Sequence, residues 1–140
     1  KLTKAKAMGA LGGFNYKNSE WAANAQKESG GFDIIIDSAG GENFSKLIDL
    51  ALPGGRIVNF GRTGGKLSEI SIHALYWKQL SIFGSTMGTR DEFLSMIDFL
   101  ESRNIKPVID KIFPLRQVNE AFQGMEQSDQ FGKIVLEISK

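Results

Sequence analysis

Between Gly31 and Gly65 the apolar positions change their period twice. Phe32 to Ile36 is apolar except at Asp33. An unbroken run of that length predicts a strand covered on both faces, as parallel strands are. Phe44, Leu47, Ile48 and Ala51 then recur at i, i+3, i+4 and i+7, one face of a helix that Pro53-Gly54-Gly55 is expected to stop. Arg56 to Phe60 reads as the next strand. Strand, helix, strand in this order predicts two parallel neighbours joined by a right-handed crossover. Ligands of open α/β sheets sit beyond the carboxyl ends of the strands, so Ser38 to Gly41 and Gly61 to Gly64 are the first places to look for a site. Glycines there leave room for a ligand to approach the backbone.

The remaining pattern supplies elements on both sides. Leu2, Ala5 and Met8 share a helical face that Gly9 would cap, and Lys1 stands in helical pattern with no N-cap before it, the mark of a piece of something longer. Leu11 to Tyr16 reads as a short strand, and Asn18 or Ser19 as the cap of a helix to about Glu28 with Trp21 and Ala25 inward. Lys66 to Ser71 is polar and irregular. Ile72 to Gln79 is a short helical or looped stretch, with Leu75, Tyr76 and Trp77 expected in packing or an interface and His73 as a structural histidine. Leu80 to Gly84 reads as a third strand and Ser85 to Gly88 as its exit loop.

Thr89-Arg90-Asp91-Glu92 has the spacing of a capping box, and Phe93, Met96, Ile97 and Leu100 mark the face to be buried of a helix ending near Asn104. Pro107 to Pro114 predicts an edge strand bounded by prolines. Val118, Ala121, Phe122 and Met125 predict another helix, and Lys133 to Ser139 a half-buried final strand.

Composition narrows the chemistry more than the fold. The 140 residues suffice for one domain with a sizeable core, and 41% hydrophobic with 24% charged residues is the balance of a soluble globular chain. A formal charge of +1 gives no electrostatic reason for a nucleic acid or an anionic membrane as partner. With no cysteine and the single His73, neither a thiolate nor a histidine-based metal site or triad is expected within the chain. No apolar run approaches the roughly 20 residues of a membrane span, and cytoplasmic residence is the expectation. Asp33, Asp37 and Asp49 read as structural or solvated carboxylates.

Several segments together carry a resemblance: Asp37-x-x-Gly40-Gly41 after the apolar run, the helix exit Leu52-Pro53-Gly54-Gly55-Arg56, the stretch KPVIDKIFPL at Lys106 to Leu115, and FGKIVL at Phe131 to Leu136. In this order they are similar to the carboxy-terminal portion of medium-chain dehydrogenase/reductases, closest to the quinone oxidoreductase and zinc-type alcohol dehydrogenase-like branch, over essentially the whole chain. The resemblance implies an α/β fold, a partial Rossmann-type parallel sheet with flanking helices, lacking the first two strands and the glycine-rich loop. No G-x-G-x-x-G occurs. It also implies a truncated dinucleotide-binding domain over residues 1–104 and a strand-helix-strand tail over 105–140 that in relatives returns to a substrate domain.

In relatives the position of Tyr16 lies beside the adenosine end of the cofactor. Gly40 and Gly41 flank it, Asn59, Phe60, Gly61 and Arg62 lie near its nicotinamide half, Ser85, Thr86 and Met87 close on the nicotinamide, and Lys133 is a weaker candidate. The implied parent transfers hydride from NADPH, or NADH, to a quinone, enal or other carbonyl compound, without metal or catalytic acid and base in these residues, the isolated chain being inactive. Two alternatives stay open: a stand-alone association or nucleotide-binding module, and a zinc-dependent alcohol dehydrogenase whose ligands lie upstream. By the sheet order of relatives, Leu11 to Tyr16 either closes onto Phe32 to Ile36 or stays frayed. The Leu80 to Gly84 edge is expected to pair in a homodimer.

Overall fold

The computed structural model describes residues 1–67 and 69–138. They form two compact units, Lys1–Met87 and Gly88–Lys140.

The first unit is built on a three-stranded sheet, β1 (Phe32–Asp37), β2 (Ala51–Asn59) and β3 (Ser81–Gly84), in the order β1-β2-β3 with both pairs parallel. Helix α3 (Phe44–Leu50), numbered after α1 (Leu2–Ala7) and α2 (Trp21–Ser29), makes the crossover from β1 to β2. The predicted face packs as its spacing requires: Phe44, Ile48, Ala51 and Ile57 are buried together, with Ile35, Leu47, Ile70, Ala74 and Leu80 against them. Ile48 and Ile57 are almost wholly removed from solvent, at 1% and 0% exposure, each worth about 1.5–3 kcal/mol of transfer free energy.

Helix α3 ends before the Pro-Gly-Gly expected to stop it. Ala51 is already extended, at φ −70° and ψ 133°. The ammonium of Lys78 donates to the carbonyls of Ile48 (3.1 Å), Asp49 (2.7 Å) and Ala51 (3.0 Å), so the open C-terminal carbonyls of α3 are met by a cation. Strand β2 thus runs through Pro53-Gly54-Gly55, and the surplus residues form an irregularity in its pairing between Phe32 and Ile34.

Strand β1 departs from the expected cover on both faces. Ile35 is half-buried in the core, while Ile34 and Ile36, on the opposite face, are 62% and 71% exposed. An apolar run reports the faces a strand has to cover; among the described residues of this unit the core lies on one of them.

Leu11 to Tyr16 does not form a strand, and the closure onto β1 is absent: among the described residues only β2 pairs with β1. Leu11 is fully exposed. A strand needs a neighbour for its ladder, and among the described residues none stands beside this segment.

Helix α1 has no buried residue and is followed by Gly9 at φ 102°, as its cap position requires. The N-cap of helix α2 lies one or two residues after the expected one. Glu20 occupies the N-cap position without a side-chain bond, while Asn18 Oδ1 accepts from the Glu20 N–H (3.1 Å) in the preceding turn. Ala25 is buried, Trp21 half-buried, and Gly30 ends the helix in the left-handed conformation.

Helix α4 (Ile72–Trp77) begins on Ser71, whose hydroxyl accepts from the Ala74 N–H (3.1 Å). Of its expected packing residues only Leu75 is partly buried; Tyr76 and Trp77 are 62% and 74% exposed. Consecutive residues of a helix are about 100° apart, so the three-residue run cannot share one face, and Tyr76 stands opposite Ala74, which packs on the core. Exposed His73 stacks on Trp77 at 5.7 Å and meets Tyr76 edge-on at 5.2 Å. Lys66 to Ser71 is irregular as expected, apart from Ser68, which lies outside the described residues.

In the second unit, β4 (Ile109–Pro114) and β5 (Lys133–Glu137) form a parallel pair joined through α6 (Val118–Glu126), with Phe113 and Ala121 as its buried residues. Ser139, at the end of the expected final strand, lies outside the described residues. Phe122 and Met125 are 55% and 49% exposed, so only part of the expected face is covered.

Helix α5 (Arg90–Ser102) opens with the expected capping box. Thr89 Oγ1 accepts from the Glu92 N–H (3.3 Å), and Glu92 Oε2 accepts from the Thr89 N–H (2.6 Å) and hydroxyl (2.9 Å). The backbone bond, and after it the hydroxyl bond, lower the Glu92 pKa below 4.5. No residue of α5 is buried, and Phe93 and Met96 are 58% and 44% exposed. Its spacing identifies the apolar side, but burial needs a covering surface, which the strand pair and α6 do not supply.

No described helix is long and apolar enough to cross a membrane.

Candidate cofactor cleft

Parallel pairing aligns the carboxyl ends of the three strands, with Asp37 opposite Asn59 and Asn59 opposite Gly84. Beyond them lies a cleft of about 750 Å³. Its lining includes Gly40, Gly41, Asn59, Gly61 and Arg62 from the predicted residues, with Phe44, Ile70, Ile82, Phe83 and Gly84 as apolar walls and Lys66 beside Arg62. Five of the eleven candidates therefore meet in one place.

The glycines have a cause inside the chain. A Cβ on Gly41, at φ 73°, would collide with the Gly64 carbonyl, and one on Gly61 with the carbonyl of Ser38. The turns after β1 and β2 thus pack backbone against backbone, and the Gly64 N–H donates to the Ala39 carbonyl (2.7 Å). The close approach foreseen for a ligand is here an approach of one turn to the other.

Asp37 ties these turns. Its Oδ1 accepts from the Ala39 N–H (3.0 Å), and its Oδ2 from the Gly40 N–H (2.8 Å) and the Asn59 side-chain amide (2.7 Å). The same Asn59 nitrogen donates to the Gly61 carbonyl (2.9 Å). The sequence reading of Asp37 as structural holds, but its tie between the two turns was missed. The available signal was a strand-ending aspartate three residues before a glycine pair, its carboxylate free to accept the N–H two residues on, the pattern of an Asx turn.

The other candidates stand apart from the cleft lining. Phe60 is exposed, and its N–H donates to the Asp37 carbonyl (3.1 Å). The Ser85 N–H donates to the Asn59 carbonyl (2.9 Å), which places the start of the exit loop at the cleft's end of β3. Thr86 and Met87 are exposed, Met87 at 93%. Tyr16 lines a second cavity of about 560 Å³ with Phe14, Trp21, Phe32, Asp37 and Gly40, where the Trp21 indole N–H donates to Asn43 Oδ1 (3.1 Å). Lys133 opens β5 in the other unit.

Chemically, the cleft offers backbone polar groups, an apolar wall and two cations, Arg62 and Lys66. That suits a flat, partly apolar ligand with anionic groups. It does not suit zinc: the chain has no cysteine and one histidine, and no three histidine, aspartate or glutamate side chains cluster among the described residues.

Comparison with known proteins points the same way. The zinc-binding dehydrogenase family model matches residues 8–136. The zinc-type alcohol dehydrogenase-like protein YogA of Leptosphaeria maculans is 33% identical over 99% of this chain and 41% of its own length. Quinone oxidoreductase-like protein 2 of Bos taurus is 28% identical over 99% of the chain and 43% of its own. A crystal structure of an NAD-dependent alcohol dehydrogenase superposes with a TM-score of 0.86 at 32% identity, over 99% of this chain and 41% of that one. The chain spans about two fifths of the length of these curated relatives. With the fold, the order of segments and the family match in agreement, the chain belongs to the zinc-binding dehydrogenase family of medium-chain dehydrogenase/reductases.

Proposed function

We propose that the chain is the cofactor-facing, carboxy-terminal part of an NAD(P)H-dependent oxidoreductase, and that its cleft holds the nicotinamide half of the cofactor. The observation that carries this reading is the convergence of Gly40, Gly41, Asn59, Gly61 and Arg62 at the aligned carboxyl ends of three parallel strands, where open α/β sheets bind ligands. Gly40, Gly41 and Gly61 would border the nicotinamide ribose, and Arg62 would face a phosphate. Ser85, Thr86 and Met87 would close over the ring, Tyr16 would lie towards the adenosine, and Lys133 is a further candidate contact. The bound nicotinamide supplies hydride chemistry, while these residues position and shield it.

The substrate proposed for the parent is a quinone, enal or other carbonyl compound, with NADPH preferred to NADH, in the cytoplasm. Residues 1–104 would belong to the dinucleotide-binding domain and residues 105–140 to a tail that returns to a substrate domain. The free edge of β3 would pair with its copy in a homodimer, which fits its exposed Ile82 and Phe83. Zinc, in a zinc-dependent parent, would have to be held entirely by residues outside this chain.

Nuclear magnetic resonance of the ¹⁵N-labelled chain with millimolar reduced nicotinamide mononucleotide tests the cleft. Shifts are expected at Gly40, Gly41, Gly61 and Ser85, and their absence at saturating mononucleotide would refute the assignment. Calorimetry with NADPH is expected to show weak or undetectable binding, since the chain has no glycine-rich phosphate loop. The sequence encoded upstream of Lys1 tests the parent: it should contain such a loop.

A further inference from the structure

Asp37 and Asn59 lie side by side at the ends of β1 and β2, and their side chains form a closed hydrogen-bond set. Three N–H donors converge on the Asp37 carboxylate, those of Ala39, Gly40 and the Asn59 amide. Only an acceptor with both oxygens free of hydrogen satisfies them; an asparagine there would turn its own NH₂ on at least one donor. The Asn59 nitrogen faces two acceptors, Asp37 Oδ2 and the Gly61 carbonyl, one for each of its hydrogens. An aspartate at 59 would set acceptor against acceptor beside a like charge. The residue types at both positions are therefore specified by this set, and exchange between them is not conservative.

The set controls the geometry of the cleft. Gly40 and Gly41 are buried, and the turn that carries them is held by Asp37 at one end and by the Gly64 N–H to Ala39 carbonyl bond at the other. The opposite turn is held at Gly61 by Asn59. With backbone packed on backbone at Gly41 and Gly61, a small shift of either turn displaces the other.

We propose that Asp37 and Asn59 are a positioning pair: their side-chain hydrogen bonds clasp the two glycine turns in the geometry that receives the ligand of the cleft, without touching the reacting atoms. The ligand part of this proposal rests on the cofactor reading above; the clasp itself does not.

Amide hydrogen exchange on the full ¹⁵N-labelled chain tests it, with Asp37→Asn and Asn59→Ala as variants. In Asp37→Asn the Gly40 and Gly64 amides should exchange about tenfold faster or more, the loss expected when a charge-assisted bond is removed, while Ile57 and Val58 within β2 keep their protection. In Asn59→Ala, which leaves Asp37 its two backbone donors, the Gly64 amide should still accelerate. Affinity for reduced nicotinamide mononucleotide, measured without denaturant, should fall at least fivefold in both. Unchanged exchange at Gly64 in Asn59→Ala overturns the proposal, and that variant decides the matter if Asp37→Asn does not fold. Equal acceleration at Gly64 and Ile57 also overturns it, since the pair would then serve general stability. If exchange accelerates in the variants but the wild-type chain shows no mononucleotide shifts, the clasp stands and the cofactor reading falls.

Discussion

Replacing Lys78 by methionine isolates the interaction that ends α3. The ammonium donates to all three carbonyls, at 2.7–3.1 Å, and methionine keeps most of the stem's volume while removing all three donors. A bond to a charged donor contributes about 1.5–3 kcal/mol, and a partly buried cation at a helix C-terminus up to about 2 kcal/mol. The three bonds share one ammonium, and the Asp49 carbonyl is exposed and regains water, so their contributions do not add. The net loss should be about 1–2 kcal/mol. With a urea slope of about 1.5 kcal/mol/M, the midpoint falls by roughly 1 M at constant slope. Lys78→Arg should recover only part of this, because a planar fork matches two acceptors better than three that converge. A Lys78→Met midpoint within about 0.2 M of wild type would refute the idea that this cation, and not the Pro-Gly-Gly, closes the helix.

Three further outcomes follow from the geometry. Gly61→Ala would drive a methyl group into the Ser38 carbonyl; it should destabilise the chain by at least about 2 kcal/mol in urea titration and broaden the Gly40 and Gly41 resonances, whereas Gly54→Ala, where a Cβ meets nothing, should act only through its positive φ. The depressed pKa of Glu92 means that its capping contribution is present above its ordinary value near 4.5 and is lost as pH falls through the lower folded value. The helical circular dichroism of wild type should therefore decline more steeply than that of Glu92→Gln as pH falls below 4.5. Ile82→Lys on the free edge of β3, 39% exposed in the single chain, should reduce the mass seen by light scattering to that of a monomer if the proposed dimer forms there.

How far the residues foretold the structure depended on whether the deciding contact was local. The face of α3 was legible because Phe44, Leu47 and Ile48 meet within one helix, and the capping box of α5 because Thr89 and Glu92 are three residues apart. The end of α3 was not, since Lys78 lies far along the chain from the carbonyls it serves. Leu11 to Tyr16 has the composition of a strand but no ladder partner among the described residues, and composition carries no information about partners. For the same reason the apolar faces of β1 and α5 were correctly identified as apolar and wrongly expected to be buried. The convergence of Gly40, Gly41, Gly61 and Arg62 followed from parallel order, while Asn59 entered only through the family resemblance; the bond between Asp37 and Asn59 needed the register, which pairs them directly.

That register changes what the glycines of the two turns imply. Taken one at a time, Gly41 and Gly61 suggest room left for a ligand. In the folded chain the space beside each is filled by the carbonyl of the opposite turn, so substitution would disrupt the turns with or without a cofactor. Loss of activity in a glycine variant of the parent would therefore not identify a ligand contact. Arg62 is the sharper probe: it is exposed at the cleft, follows the clasp and takes no part in its hydrogen bonds. Arg62→Gln should leave the urea midpoint within about 0.5 kcal/mol of wild type, as surface substitutions do. If Arg62 faces the cofactor phosphate, the same change should weaken reduced nicotinamide mononucleotide and leave the phosphate-free riboside unaffected. Equal weakening of both would move Arg62 from the phosphate to the ring or the ribose.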